Sequence, residues 1–154
     1  MLRDVDEADL PAFFEYQKDP EAVRMAAFTA ENPGDREAFD AHWARLLDDD
    51  TVVNRTIVFT GDVIGWVGAY EADGRREITY WLAREYWGKG LATQALTEFL
   101  HLIPERPLYA RAATDNVGSL RVLEKLGFVV VGEDSGYAAG RGKVTDEFLL
   151  ELVR

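Results

Sequence analysis

The first fifty residues carry two amphipathic helical patterns. The first begins at Asp6, which has Asp9 three positions later as in a capping box, and it ends before the pair Asp19-Pro20. The second spans 35 to 47. The positions that repeat at helical spacing are Leu10, Phe13, Phe14 and Gln17 in the first pattern and Phe39, Trp43, Leu46 and Leu47 in the second. The mixed stretch between them, 22 to 33, is predicted to be irregular or a short helix.

The pattern then changes to strands. Residues 51 to 60 and 62 to 71 are rich in β-formers, and Gly61-Asp62 between them is a two-residue hairpin signal. Asp73-Gly74 marks the next turn, and 77 to 83 reads as a third strand. These runs predict an antiparallel meander.

The second half alternates helices and strands. The predicted elements are a helix from Leu91 to Pro104, a strand 107–113, a helix 116–126 with Gly127 after its end, a strand 128–132, a Gly-rich loop 133–143 and a final strand 144–153. The chain has no repeat, low-complexity tract or linker. We therefore expect a single α/β domain over residues 1–154 with a mixed sheet.

Composition narrows the class of protein. The chain has 154 residues, of which 47% are hydrophobic, and this apolar fraction excludes a disordered chain. Its net charge of −11 argues against a nucleic-acid partner. No stretch reaches about 18 apolar residues, so no membrane partner is expected. With 0 Cys there is no disulfide framework or cysteine nucleophile, which fits a reducing cytoplasm.

The charge is unevenly distributed. Residues 1–50 contain 14 acidic and 5 basic residues, a net charge of −9, whereas 51–100 and 101–154 each carry −1. One interpretation is that these acidic residues only keep the protein soluble. The other is that they face a cationic substrate, while residues 51–154 tolerate an anionic ligand. The candidate contributors are Glu15, Glu21, Glu31 and Asp35.

A glycine-rich loop between a strand and a helix is the clearest chemical signal. Gly88 and Gly90 let the backbone turn tightly and approach a ligand, and the first amides of the following helix lack partners. Such amides converge on an anion, and Lys89 adds positive charge. The loop is therefore predicted to bind a phosphate or pyrophosphate.

Three other interpretations of this loop compete. A Walker loop is excluded because no Lys is followed by Ser or Thr. A dinucleotide fold is favoured by Gly88-x-Gly90 and by Asp115 after the next strand, but Thr93 occupies the third glycine position and Trp87 crowds the turn. A glycine-rich turn without a ligand is the remaining alternative.

The segment from Asn116 to Phe128, with its Leu-Gly-Phe end, decides between them. Together with the run from Tyr80 to Thr93, it resembles the GNAT superfamily of N-acetyltransferases, closest to the ribosomal-protein N-terminal (alanine) acetyltransferase branch. The family's acetyl-CoA loop, [Q/R]-x-x-G-x-[G/A], matches 85 to 90. The resemblance implies the GNAT acyltransferase fold, in which a meander is followed by a strand–phosphate loop–helix–strand–helix–strand unit.

The resemblance also implies a set of site residues. A carboxylate must take the proton from the acceptor amine, and Glu77 is the candidate base. Ser119 is the candidate donor to the thiolate that leaves. The residues that the resemblance assigns to acetyl-CoA are Tyr80, Trp81, Leu82, Trp87, Gly88, Lys89, Gly90, Leu91, Ala92, Thr93 and Asn116. Each of these residues also has a purely structural interpretation. In that interpretation Glu77 is an exposed strand residue, Ser119 is a first-turn residue of a helix, and Asn116 is a helix cap.

Two positions depart from the family pattern. Glu85 stands where Gln or Arg is usual, and Leu123 stands where many relatives carry a tyrosine. The first weakens one contact of the phosphate loop, and the second leaves the general acid undecided. Met25 and Phe28 are interpreted either as core or as lining the substrate opening.

The implied activity is transfer of an acetyl group from acetyl-CoA, as co-substrate, to a primary amine. With no Cys and no G-x-S-x-G, direct attack in a ternary complex is favoured over an acyl-enzyme. His42 and His101 lie in separate helical patterns, so no metal site is expected. The alternatives are a non-catalytic CoA-binding module and a dinucleotide-binding oxidoreductase. The sequence leaves open the identity of the amine and a homodimer.

Overall fold

The computed structural model describes residues 1–154, which include a seven-stranded sheet in the order β1-β2-β3-β4-β5-β7-β6. The strands are β1 (Leu2–Asp4), β2 (Val53–Phe59), β3 (Asp62–Ala72), β4 (Arg75–Leu82), β5 (Leu108–Ala113), β6 (Val129–Ala138) and β7 (Lys143–Leu152). The helices are α1 (Leu10–Lys18), α2 (Pro20–Ala26), α3 (Arg36–Asp48), α4 (Leu91–Leu102) and α5 (Val117–Lys125), with 3₁₀ turns at Glu7–Asp9 and Arg84–Tyr86. No helix has both the length and the apolar character needed to cross a membrane.

One pairing in the sheet differs from all the others. Strands β2, β3 and β4 form the predicted antiparallel meander, and β5, β7 and β6 are antiparallel as well. Only β4 and β5 are parallel, and they pair at the single position Glu77–Tyr109. No further pair forms beyond that position, which leaves a gap between the carboxyl ends of the two strands.

Helices cover both faces of the sheet. Strands alternate their side chains between faces, so Ile78 and Leu82 of β4 face one way while Glu77 and Trp81 face the other. Helices α4 and α5 pack on the first face over the main apolar core. On the second face, a smaller aromatic cluster joins α1 and α3 to the sheet through Phe13, Phe14, Phe39, Trp43 and Trp66.

The caps at Asp6, Asn116 and Gly127 were predicted correctly, whereas those at Asp19 and Asp35 were not predicted. Asp6 and Asp9 form a capping box at the first 3₁₀ turn, and Asp35 caps α3. Asn116 caps α5, and Gly127 follows that helix at φ 101°. The undecided stretch after Pro20 contains α2, for which Asp19 supplies the cap.

Three strand predictions were wrong. The predicted loop 133–143 lies mostly in β6 and the start of β7, because an edge strand that is largely exposed shows no apolar alternation. The first hairpin turns at Thr60-Gly61, one residue earlier than predicted, with φ values of 49° and 86°. The three-residue β1 was not predicted, since it is too short to show a pattern.

A buried carboxylate fastens the N-terminus to the sheet. Arg3 donates two hydrogen bonds of 2.7 Å to Asp9, which also accepts from the Asp6 amide and the Thr56 hydroxyl at 2.9 and 2.7 Å. Burial opposes ionisation of Asp9, but these hydrogen bonds outweigh it and lower its pKa. A depressed folded-state pKa contributes stability above the unfolded pKa, and that contribution is lost as pH falls through the folded value.

Replacing this carboxylate should therefore destabilise the fold in a pH-dependent way. Asp9→Asn leaves Arg3 without its paired acceptor, and we expect the unfolding free energy to fall by about 2 kcal/mol at neutral pH. The difference from wild type should begin to shrink below about pH 4, where the carboxyl of the unfolded chain is protonated, and should disappear once pH falls below the depressed folded-state pKa. Urea denaturation at several pH values measures both effects. Asp4→Asn, at an exposed position, should change little; a pH-independent difference for Asp9→Asn would contradict the assignment.

Candidate active site

The gap between β4 and β5 presents unpaired backbone amides. The Ala83 amide donates to Ile64 of β3 at 2.8 Å. Successive amides of a strand point to opposite sides, so the Trp81 amide also faces β3, whereas those of Tyr80 and Leu82 face the gap. The gap therefore offers two fixed hydrogen-bond donors along one edge.

A loop rich in free amides lies at the open end of the gap. Gly88 and Gly90 adopt φ values of 74° and 76°, and a Cβ at either residue would meet no other atom within 4 Å. Gly90 caps α4 without any side-chain hydrogen bond, and residues 88 to 93 donate to no backbone or side-chain acceptor. Amides at the positive end of a helix form an anion site. The arrangement fits the predicted phosphate contact.

Side chains fix this loop to the end of β4. The Trp87 indole N–H donates to the Leu82 carbonyl at 2.8 Å. Lys89 lies over the Tyr86 ring with its ammonium 5.6 Å from the ring centre. Arg84 is instead paired with Asp19 at 3.2 Å. Lys89 is thus the cation of the loop, since Arg84 is engaged with the start of α2.

Two hydroxyl groups meet on the face that carries α4 and α5. Tyr80 donates a hydrogen bond of 3.2 Å to the Ser119 hydroxyl, which leaves the Ser119 proton free to donate elsewhere. Burial raises the pKa of Tyr80, although the bond to Ser119 acts in the opposite direction. Asn116 accepts from the Ser119 amide at 3.3 Å, so its side chain acts as the helix cap. Leu123, the position of the missing tyrosine, is core.

Glu77 lies on the opposite face of the sheet, and it is not an exposed strand residue. Its exposed fraction is 3%. The Arg111 Nε lies 3.3 and 3.4 Å from its two carboxylate oxygens, and the Tyr70 hydroxyl is 3.5 Å from one of them. The carboxylate is therefore held in place at the closed end of the gap, directly at the β4–β5 pair.

Arg111 is shared among three carboxylates. Its Nη1 lies 3.1 Å from Glu147 and 3.8 Å from Asp134, which are cross-strand neighbours in β7 and β6. Burial raises the pKa of Glu147, and Arg111 opposes that rise. Together with Glu77, these groups form a carboxylate cluster with one guanidinium for three carboxyl groups.

Arg111, Glu147 and Tyr70 were not among the site residues predicted from the sequence. Arg111 has a usable signal, since it is a charged residue inside an otherwise apolar strand, Leu108–Ala113. Trp81 was placed correctly on β4, but its side chain stacks on Trp66 at 5.8 Å and donates to the Tyr16 carbonyl. Its indole lies under α1, on the face away from Ser119.

Comparisons with known proteins agree with this geometry. A model of the acetyltransferase (GNAT) domain family matches residues 1–129. The chain belongs to the GNAT acetyltransferase family. It is 25% identical over 163 residues to an N-acetyltransferase of Bacillus licheniformis whose name calls it uncharacterized, an alignment that covers 99% of this chain and 92% of the relative.

Two further proteins illustrate the range of the family. The chain is 30% identical over 117 residues to YdaF of Bacillus subtilis, whose name proposes a ribosomal N-acetyltransferase; 69% of this chain and 64% of YdaF are aligned. Its fold matches spermidine N-acetyltransferase from Vibrio cholerae in complex with CoA and spermine, with a TM-score of 0.83 and 17% identity over 99% and 94% of the two chains.

These findings confirm the resemblance and the fold drawn from the sequence. The protein is an acetyl-CoA-dependent N-acetyltransferase, and acetyl-CoA is its co-substrate. Transfer to an amine is general to these relatives.

The free amides of the loop lead to a direct test. A valine at Gly88 would put a branched side chain where the co-substrate phosphates are expected, so Gly88→Val should weaken acetyl-CoA binding at least about tenfold. Gly74→Val is the matched control, since Gly74 has φ 75° and the same free space but lies in the β3–β4 turn. Calorimetric titration with acetyl-CoA measures both. Equal acetyl-CoA affinities in the two folded variants would show that the loop is not part of the binding site.

Proposed function

We propose that the protein transfers the acetyl group of acetyl-CoA to the primary amine of a cationic acceptor by direct attack in a ternary complex. The observation that carries the proposal is the gap between β4 and β5, with a carboxylate on one face and a hydroxyl pair on the other. A base and an acid on opposite faces suit a reaction in which the amine arrives from one side and the thiolate leaves on the other.

Glu77 is the proposed base. An amine with a pKa near 10.4 is almost fully protonated at neutral pH, which costs about 4.6 kcal/mol unless a group removes the proton. Glu77 is fixed at the closed end of the gap, and Arg111 divides its charge among three carboxylates. Glu77 is thus a carboxylate held at the gap, where it can accept the proton directly or through a water molecule.

The other groups serve the carbonyl and the sulfur. As the amine nitrogen bonds to the acetyl carbon, negative charge develops on the carbonyl oxygen, and the Tyr80 and Leu82 amides are the proposed donors to it. The carbon–sulfur bond then breaks, and Ser119 protonates the thiolate. Tyr80, which donates to Ser119, replaces that proton and regains its own, through water, from the nitrogen, which must lose one proton as the amide forms. Gly88 to Thr93 hold the phosphates, and Asn116 positions the first turn of α5.

A base role for Glu77 predicts a specific pH dependence. Glu77→Gln should lower kcat by about 10²- to 10⁴-fold near neutral pH while leaving acetyl-CoA affinity unchanged. The loss should shrink as pH approaches the pKa of the amine, where the acceptor loses its proton without help. Release of free CoA measured across the pH range tests this.

Glu151→Gln provides a matched control for that variant. Glu151 lies on the same face of the sheet and also binds a tyrosine, accepting from Tyr109 at 2.7 Å, but it does not face the gap. Its replacement should leave the pH profile as in wild type. A wild-type profile for Glu77→Gln would place the base elsewhere.

The cationic acceptor is supported by a different set of acids from those that the sequence suggested. Glu15 and Glu21 pair with Lys18 and Arg24 on their own helices, and Asp35 caps α3, whereas Glu31 has no partner. The carboxylate cluster around Arg111 has one positive charge for three carboxyl groups and lies on the proposed acceptor face. A cation approaching that face would be attracted. A protein N-terminus, a polyamine and an aminoglycoside all carry suitable charge.

This attraction should depend on salt. For an amine found by screening for CoA release, kcat/KM should fall at least about threefold between low and high ionic strength, since screening shortens to about 3 Å at 1 M. The value for acetyl-CoA should fall less. Asp134→Asn should reduce the salt dependence for the amine, whereas Glu31→Gln should not. A good neutral or anionic acceptor, or a kcat/KM that ignores salt, would contradict a cationic substrate.

A non-catalytic CoA-binding module makes the opposite prediction for the same screen. Such a protein would bind acetyl-CoA at the free amides of residues 88–93 yet release no CoA with any amine.

A further inference from the structure

The C-terminal end of α2 is held by two segments from distant parts of the chain. Helix α2 ends at Ala26, and the last carbonyls of a helix have no partners within it. Here the Arg24 carbonyl accepts from the Arg141 Nε, the Met25 carbonyl from the Asn116 side chain at 3.2 Å, and the Ala27 carbonyl from the Gly140 amide at 2.8 Å. The donors belong to the β6–β7 hairpin and to the start of α5.

The chain leaves α2 through a strained turn. Ala27 has φ 64° and ψ −59°, and the Phe28 amide donates to the Ala26 carbonyl at 2.7 Å, which makes a γ-turn of the rare, positive-φ kind. A non-glycine residue stays in that conformation only where its surroundings enforce it. Ala27 is fully buried in a cluster with Ala113 and Ala138.

The hairpin approaches α2 too closely for any side chain. A Cβ at Gly140 would lie 2.8 Å from the Ala27 carbonyl oxygen and nearer still to that of Val23. The next residue, Arg141, is 9% exposed, and its guanidinium makes two hydrogen bonds of 2.8 and 3.0 Å with Asp115. Asp115 directly precedes Asn116, the cap of α5.

Arg141 thereby joins the two sides of the active site. Ala113 shares its face of β5 with Arg111, so the end of α2 lies on the face of the carboxylate cluster, where the acceptor is expected. Asp115 and Asn116 lead instead to Ser119, on the side of the thiolate. The fork of Arg141 touches the Arg24 carbonyl and the Asp115 carboxylate together, so neither segment can move without disturbing the other.

We propose that Arg141 is a positioning residue for the acceptor side of the site, which holds the end of α2 at a fixed place relative to the first turn of α5. It touches neither the acetyl group nor the amine. The acceptor role of this side rests on the proposed function, whereas the coupling of α2 to α5 does not.

The test compares Arg141→Met with Arg24→Met. Arg24 lies on α2 itself, and its side chain contacts only Glu21 and Met25 of the same helix, so its removal changes the charge equally without loosening α2 from the rest of the chain. Amide exchange followed by NMR should become at least about tenfold faster at Ala27 and Gly140 in Arg141→Met, and should be unchanged at both in Arg24→Met and throughout α4 in both variants.

Kinetics with spermidine and with an alanine-ended basic peptide as probe amines give the second readout. For whichever amine is turned over, Arg141→Met should raise the KM of the amine about tenfold. The acetyl-CoA affinity and kcat should stay within about threefold of the wild-type values. Arg141→Lys keeps the positive charge but loses the planar guanidinium that binds two partners at once, so it should give an intermediate KM for the amine.

The two readouts separate the possible failures. Unchanged exchange at Ala27 and Gly140 in Arg141→Met, or equal acceleration in Arg24→Met, overturns the proposal whatever the activity. Faster exchange with an unchanged amine KM shows that Arg141 holds α2 without serving the acceptor, and it also overturns the proposal. Faster exchange with no turnover of either amine confirms the coupling and rules out spermidine and the peptide as acceptors.

Discussion

Strands β4 and β5 separate after a single pair, and the placement of the candidate site follows from that separation. Every other neighbouring pair in the sheet is antiparallel, and this parallel pair is held only at Glu77–Tyr109. Strands that paired further would satisfy the Tyr80 and Leu82 amides and would leave no room for a ligand. Two packed cores, one on each face, stabilise the sheet despite the missing strand pairing. Helices α4 and α5 pack on one face, and the aromatic cluster packs on the other.

The gap also explains why the polar groups divide as they do. Side chains alternate along β4, so successive residues lie on opposite faces of the sheet. Glu77 therefore lies in the carboxylate cluster on one face, and Tyr80 contacts Ser119 on the other. The helix that begins at Gly90 directs its free amides to the open end. One strand and the loop after it therefore supply the proposed base, the proposed carbonyl donors and the phosphate contacts.

Much of the fold and part of the site could be predicted from sequence because the signals are local. The caps at Asp6 and Asn116, and the glycines of the phosphate loop, depend on residues a few positions away. The resemblance to the family then supplied the order of the elements. The partner of Glu77 could not be predicted in the same way, because Arg111 lies 34 residues away and reaches Glu77 only through the order of the strands. Strand β6 was missed for a related reason, since an exposed edge strand buries too little to leave an apolar pattern.

If acetyl-CoA occupies the gap, it takes its hydrogen bonds from amides that the fold leaves free. Residue-by-residue amide exchange by NMR, with and without saturating acetyl-CoA, measures this. We expect rapid exchange at Tyr80, Leu82 and residues 88–93 in the free protein and strong protection at all of them in the complex, with no change at Gly74. Tight binding of acetyl-CoA without protection at Tyr80 and Leu82 would contradict this placement of acetyl-CoA.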